Sequence, residues 1–333
     1  YYPPYVEMAA KLAEIAPDGD DWQVFLTNSG TEAVEGAIKL ARYATGRHRL
    51  IAFLGAFHGR SMGAVTLTAS KPQYHRGFGS LLADVTHVSY AKCLDCQYNL
   101  TYPECDLACI SFIEDEIFKR VAPPEDVAAI VVEPIQGEGG YVVPPPGWLP
   151  ALRKLCDRHG ILLITDEIQS GMGRTGKMFA FEHFGDEDGP VVPDIFIAKG
   201  DLMTWDKGAH GTTFGGNPVA CAAGLETINL LQESLMENAE RMGGYVMGRL
   251  DEVKERHPGL IDVRGLGLMI GMEFESADLA HALVNACFER GLIVLGCGDK
   301  AVRLSPPLVV TESQADLALT ILEEALAEVS DGR

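Results

Sequence analysis

The sequence predicts an α/β protein built on a mostly parallel sheet wrapped by helices, followed by a smaller α+β domain. Three observations predict it. Apolar, β-rich segments alternate with amphipathic helical ones along the amino-terminal part of the chain, the pattern of strand–helix–strand units. Two apolar runs, Ile161-Leu162-Leu163-Ile164 and Ile195-Phe196-Ile197-Ala198, lead into Asp166 and Lys199 at their carboxyl ends, where ligands gather in sheets of this kind. From residue 220 to 255 the chain reads as mainly helical, a long connection into a second domain.

Taken in order, residues 24–27, 50–53, 64–68, 129–133, 161–166 and 195–199 are the expected strands of the large domain. Between the first two, residues 31–42 place Val34, Ala37, Ile38 and Ala41 at helical spacing. Ser29 followed three places on by Glu32 is a capping-box arrangement, and Gly46 is the expected stop. Residues 261–263, 268–274 and 301–304 are the strands expected in the smaller domain. The expected boundary divides the chain into 1–225 and 226–333. The alternation shows no internal repeat and no low-complexity stretch.

A chain of 333 residues, 47% of them hydrophobic, can bury a sizeable core and more than one domain. Its formal net charge of -20 disfavours nucleic acid and anionic membrane as partners. No apolar run reaches the length of a membrane span and no signal-like start is visible, so a cytoplasmic location is expected. The sequence opens on Tyr1-Tyr2-Pro3-Pro4 without methionine, and an amino-terminal segment is therefore expected to be absent from it. Eight cysteines are too few for a disulfide scaffold at this length.

The chemistry starts from Lys199 and Asp166. Pyridoxal phosphate (PLP) needs a lysine for its Schiff base and an acid beside its pyridinium nitrogen, and this pair supplies both. Alone, each has an ordinary reading: a solvated lysine after a strand, an aspartate capping a turn. Gln169, three residues past Asp166, offers an amide to a phenolic oxygen or sits in an exposed loop. Ser29-Gly30-Thr31, between a strand and a helix start, lets backbone N–H groups converge on a phosphate, although the same triplet makes a common N-cap. Thr213, ahead of Phe214-Gly215-Gly216-Asn217-Pro218, is a second phosphate candidate or part of a glycine–proline turn. Phe57-His58-Gly59-Arg60 brings a ring that could stack on a cofactor and an arginine suited to a carboxylate.

Five ordered blocks change the weight of these single signals. They are Asn28-Ser29-Gly30-Thr31-Glu32-Ala33, Gly55-Ala56-Phe57-His58-Gly59-Arg60, Glu133-Pro134-Ile135-Gln136-Gly137-Glu138-Gly139-Gly140, Asp166-Glu167-Ile168-Gln169 with Gly173-Arg174-Thr175-Gly176-Lys177, and the block from Thr213 to Pro218. With them the chain resembles the class III (ω-) aminotransferases of the type I PLP fold, in their 4-aminobutyrate aminotransferase-like subgroup. The resemblance implies a large domain with a mostly parallel sheet of the seven-stranded type and a small carboxyl-terminal domain. It implies that Lys199 binds the cofactor covalently, that Asp166 faces the pyridinium, and that Gln169 donates to the phenolic oxygen. Phe57 then stacks on the ring, Ser29, Gly30 and Thr31 form the phosphate cup, and His58 and Glu133 belong to the same cofactor site. Thr213 corresponds to a threonine that reaches the phosphate of the other subunit, which implies a homodimer with composite sites.

For the substrate, Arg303 in Val302-Arg303-Leu304-Ser305-Pro306 resembles the family's α-carboxylate arginine, Glu138 its gateway glutamate, and Arg60 the arginine for the distal carboxylate. An ω-amino acid or amine as donor and an oxo acid such as 2-oxoglutarate or pyruvate as acceptor follow, exchanged by a ping-pong route. A PLP-dependent amino-acid racemase or epimerase of the same fold is the alternative. The chain departs from the family in lacking the glycine-rich segment that usually follows the PLP lysine; here Gly200 leads at once into Asp201-Leu202-Met203.

One motif stands outside this scheme. Cys93, Cys96, Cys105 and Cys109 form a C-x2-C-x8-C-x3-C pattern in a loop-rich insertion. Four sulfurs at this spacing could hold a structural zinc, pair as two disulfides, or remain free thiols.

Overall fold

The computed structural model describes residues 2–17, 22–79, 81–196, 198–199 and 202–331, with the backbone alone for residues 198, 199 and 331. The chain divides into two compact units. The first comprises residues 1–134, 144–168 and 181–229; the second comprises 135–143, 169–180 and 230–333.

The first unit opens with α1 (Pro3–Ile15), β1 (Trp22–Gln23), α2 (Gly30–Thr45), β2 (Arg49–Phe53), α3 (Met62–Leu67) and β3 (Val85–Val88). It continues through α4 (Ala108–Phe112) and α5 (Phe118–Arg120), joined by a π-helical turn, then β4 (Val127–Val132), α6 (Trp148–His159) and β5 (Leu162–Thr165). A small hairpin of β6 (Gly185–Asp186) and β7 (Gly189–Pro190), then β8 (Ala198–Lys199) and α7 (Pro218–Leu230), complete it.

Strands β3, β2, β4 and β5 lie side by side in that order, and every pairing is parallel. Ile195 adds a parallel bridge to Ile164 on the far side of β5. Among the described residues this sheet therefore has four strands, fewer than the seven-stranded form. All six residues of β4 are buried, as expected for a parallel strand covered on both faces. Val34, Ile38 and Ala41 of α2 pack with Leu50, Ala129, Val131 and Ile164 in one apolar cluster. Each fully buried valine, leucine or isoleucine side chain here stabilises the fold by about 1.5–3 kcal/mol. Gly46 ends α2 in the left-handed conformation at φ +66°, with its N–H on Arg42 O at 3.0 Å.

Two expected strands of this unit are absent. Residues 64–68 fall largely in α3, because the Glu35 carboxylate accepts from the amides of Gly63 (2.8 Å) and Ala64 (3.1 Å) and so caps a helix there. Residues 24–27 are not in a strand; pairing stops at Gln23, and the short β1 runs antiparallel to β8 with Trp22 opposite Lys199.

The second unit holds α8 (Met236–Arg256), β9 (Leu260–Leu266), β10 (Met269–Phe274), α9 (Ala277–Glu289), β11 (Leu295–Cys297), β12 (Ala301–Leu304) and α10 (Glu312–Asp331). Its sheet is antiparallel in the order β11, β12, β10, β9. The core joins Met242, Val246 and Leu250 of α8 to Ile270 and Met272 of β10, Leu283 of α9 and Leu322 of α10. No helix among the described residues is long and apolar enough to cross a membrane.

Candidate active site

In the first unit, three loops leave the sheet or enter a helix at the same edge. Asp166 follows β5, Glu133 follows β4, and the segment from Leu54 to Arg60 follows β2, so the parallel order puts all three at carboxyl ends of neighbouring strands. Asp166 is fixed by its backbone N–H on Val132 O at 2.8 Å. Its Oδ1 accepts from Ile168 N at 3.1 Å, and its Oδ2 pairs with His58 Nδ1 at 2.8 Å.

His58 is buried, and its own N–H donates to Thr68 Oγ1 at 2.9 Å. Burial alone would pull its pKa down; the bond to Asp166 and the charges of Asp166 and Glu133 outweigh burial and raise it. Among the described residues its Nε2 is buried without a hydrogen-bond partner. By its Nδ1 bond it holds the Asp166 carboxylate, a contact that its sequence neighbours do not disclose.

Two glycines let the loops meet. A Cβ at Gly59, whose φ is +125°, would lie 2.3 Å from Thr31 Oγ1, and one at Gly30 would lie 3.0 Å from Ile168 Cγ1. The start of α2 is thereby brought against both the Phe57–Arg60 loop and the Asp166–Ile168 loop. Ser29 is the N-cap residue, but its side chain does not cap the helix. Glu32 instead accepts from Asn28 N and Asn28 Nδ2, both at 2.9 Å, so the capping box expected from Ser29 and Glu32 does not form. The Thr31 hydroxyl is engaged with Ser61 Oγ at 2.7 Å. What remains for an anion at this helix start is backbone N–H and the Ser29 hydroxyl.

Phe57 is half-buried, its N–H on Glu133 Oε2 at 3.2 Å and its ring edge-on to Tyr74 with centroids 5.5 Å apart. Arg60 is exposed and rests its guanidinium over Tyr74 (4.9 Å) and Phe57 (5.8 Å). Thr213 is exposed, in the loop before α7; its neighbour Thr212 accepts from Asn28 Nδ2 at 3.0 Å, which ties that loop to the turn preceding Ser29. The backbone of Lys199 lies in β8, while its side chain is outside the described residues.

The other three expected residues belong to the second unit. Gln169 is exposed, and a Cβ at Gly137 would lie 2.8 Å from its Nε2, so Gly137 gives its amide room. Arg303 Nη2 and Glu138 Oε1 form an ion pair at 2.7 Å, both side chains mostly buried, and the Glu138 carbonyl accepts from Gly298 N at 2.7 Å. The Arg303 guanidinium also stands over the Tyr141 ring at 5.7 Å. Tyr141 was not a sequence candidate; neither its left-handed conformation at φ +49° nor its contact with Arg303 has a local signal in the chain.

The donor set fits PLP. A helix start with open amides suits a phosphate, and a carboxylate anchored by a buried histidine suits a protonated ring nitrogen. The cysteine cluster gives a zinc site no support. Cys93, Cys96, Cys105 and Cys109 all border one cavity of about 30 Å³. All four are free thiols, and no group of three or more His, Cys, Asp or Glu among the described residues could hold a metal ion. Burial, helped by the neighbouring cysteines, pushes the Cys93 thiol up and the Cys109 thiol up to about 11. The expectation of a structural zinc is left without support, and neither disulfide of the rival reading is formed.

Comparison with known proteins bears on this arrangement. The family described as "Aminotransferase class-III" matches residues 1–326. An acetylornithine aminotransferase from Methanopyrus kandleri is 42% identical, over 99% of this chain and 79% of that protein. A 4-aminobutyrate aminotransferase from Escherichia coli is 37% identical, over 98% and 80%. Among solved structures, a PLP-bound amine transaminase from an uncultivated Pseudomonas species superposes with a TM-score of 0.86 at 29% identity, covering 99% of this chain and 82% of that one.

Proposed function

The chain belongs to the class III aminotransferases, PLP-dependent enzymes of the type I fold that transfer amino groups, and on that premise we propose its substrates and the residues that act on them. The donor is an ω-amino acid or amine of the 4-aminobutyrate kind, and the acceptor is a short oxo acid, 2-oxoglutarate or pyruvate. One observation carries this reading: the Glu138–Arg303 ion pair at 2.7 Å. An arginine neutralised by a carboxylate of its own chain tolerates a donor with no α-carboxylate. The same arginine, released, binds the α-carboxylate of an oxo acid through its planar fork.

When bound, the cofactor supplies an aldehyde for the donor amine and a ring that takes up electrons from a breaking C–H bond. The chain's own residues do the rest. The amides at the start of α2 and the Ser29 hydroxyl hold the phosphate. Asp166, kept in place by His58, holds the proton on the ring nitrogen. Phe57 covers one ring face, Glu133 fixes the Phe57 backbone, and Gln169 donates to the phenolic oxygen. Lys199 moves the proton to and from the substrate Cα, a positioned transfer that contributes about 10²–10⁴-fold. Arg60 receives the distal carboxylate.

A homodimer with composite sites is part of the proposal. Support comes from α7, an apolar helix of which only Cys221 and Ile228 are buried, with Val219 at 78% exposure and Phe214 just before it at 74%. An apolar face of this kind calls for a cover, and Thr213 lies beside it. The cover we assign is a second copy of the chain, in which Thr213 of each copy serves the other's phosphate. Sedimentation at the mass of one chain, 36.0 kDa, would remove this part of the reading.

The activity is tested by half-reactions. PLP-loaded enzyme mixed with 4-aminobutyrate alone should change its visible absorption, and 2-oxoglutarate added afterwards should restore the starting spectrum. Interconversion of alanine enantiomers in the absence of any oxo acid, with no response to ω-amines, would replace the transaminase by the racemase.

A further inference from the structure

The second unit contains a device around Arg303 that the transamination chemistry does not by itself require. Arg264 of β9 and Arg303 of β12 both stand opposite Gly271 of β10 in the antiparallel register. Side chains directly opposite one another share a sheet face, so two arginines flank one position that has no side chain. Tyr141 occupies that gap: a Cβ at Gly271 would lie 2.9 Å from Tyr141 Cβ and 3.2 Å from Gly140 O.

Tyr141 is held there from several sides. Arg264 Nε donates to Tyr141 O at 3.0 Å, and its Nη2 donates to Gly140 O. Arg264 is in turn fixed by Asp262 (2.8 Å) and by the buried Glu273 (2.6 Å). The peptide it grips is unusual, with Gly140 at φ +124° and Tyr141 at +49°, a region that a bulky residue rarely adopts. The ring is buried, and above it stands the Arg303 guanidinium at 5.7 Å, while Glu138 holds the same guanidinium from its other partner position at 2.7 Å.

We infer that Tyr141 is a positioning residue for acceptor binding: it fixes the place of the Arg303 guanidinium while the carboxylate paired with it changes from Glu138 to the substrate. This rests on the reading of Arg303 as the α-carboxylate group. Glu138 is the exchangeable contact and the Tyr141 ring the permanent one, because Gly271 packs against Tyr141 Cβ and Arg264 grips the backbone carbonyls of Gly140 and Tyr141. The chemical class that profits is the dicarboxylic 2-oxo acid, whose affinity depends on a preplaced arginine; donors without an α-carboxylate do not use it.

The test uses the full-length, PLP-loaded enzyme and measures KM and kcat for 2-oxoglutarate together with calorimetric binding of glutarate, an unreactive dicarboxylate. Tyr141→Leu should raise both KM and the glutarate Kd about 3- to 30-fold, the range for losing a partly desolvated cation–π contact, with kcat changed far less. Tyr141→Phe, which keeps the ring and gives up only the hydroxyl's bond to Ser305, should restore most of the wild-type affinity. Gly271→Ala, which displaces the ring without removing it, should give an intermediate loss. Arg303→Leu should raise both constants at least as much, and Tyr141→Leu should add nothing in that background. If Arg303→Leu weakens glutarate but Tyr141→Leu does not, the inference is overturned and the role of Arg303 stands. If Arg303→Leu leaves glutarate binding untouched, the reading of Arg303 fails and the inference with it. A fall in kcat and melting temperature with KM unmoved would make Tyr141 a purely structural residue.

Discussion

Lys199→Ala should lower turnover by at least about 10³-fold, within the range for removing a positioned proton carrier, and should end covalent attachment of the cofactor. The measurement is direct. Borohydride-treated wild-type enzyme should gain the mass of one reduced cofactor on the peptide carrying Lys199, and the variant should gain none there. An adduct of the same yield on a different lysine, or turnover close to wild type, would take Lys199 out of the mechanism. The assignment rests on the family and on the sequence, where Lys199 ends an apolar run; in the fold its backbone pairs with Trp22 across β8 and β1.

The second large effect belongs to Asp166. Asp166→Asn keeps the shape but removes the countercharge of the ring nitrogen, and a charge-assisted hydrogen bond of about 1.5–3 kcal/mol corresponds to a loss of about 10- to 150-fold in kcat. The same change removes the main partner of His58. A histidine whose native pKa is raised stabilises the fold below its unfolded value of about 6.5, and that contribution fades as pH rises through the native value. Denaturant unfolding of cofactor-free protein should therefore show the largest cost of Asp166→Asn near pH 6 and a smaller one well above neutrality. A stability difference that grows with pH would mean that His58 is neutral in the native state.

Much of the frame could be read from the chain. The strand at 50–53, the helix from residue 31 and its stop at Gly46 follow from burial period and turn chemistry, and the structure has them at Arg49–Phe53, Gly30–Thr45 and Gly46. The segment 64–68 misled because Ala-Val-Thr-Leu-Thr is β-prone in isolation, while the carboxylate that makes it helical, Glu35, sits on another element. The same limit applies to the site. Asp166 was visible at a strand end, but its bond to His58 is a tertiary fact. Arg303 and Glu138 came from motif resemblance, and nothing local in Val263-Arg264-Gly265 discloses that Arg264 grips the Gly140-Tyr141 peptide. The cysteine spacing invited a metal, and the described residues contain no group of side chains that could hold one.

The division of the chain has a practical consequence for anyone wishing to cut it. Residues 135–143 and 169–180 belong to the second unit although they are flanked in sequence by the first. A gene split at the junction of 229 and 230 would thus send Glu138, Tyr141 and Gln169 out with the wrong fragment. Neither product would be self-sufficient: one would carry two orphan strips of polypeptide, and the other would lack the counterpart of Arg303. Independent expression of the halves is closed off by the path of the backbone.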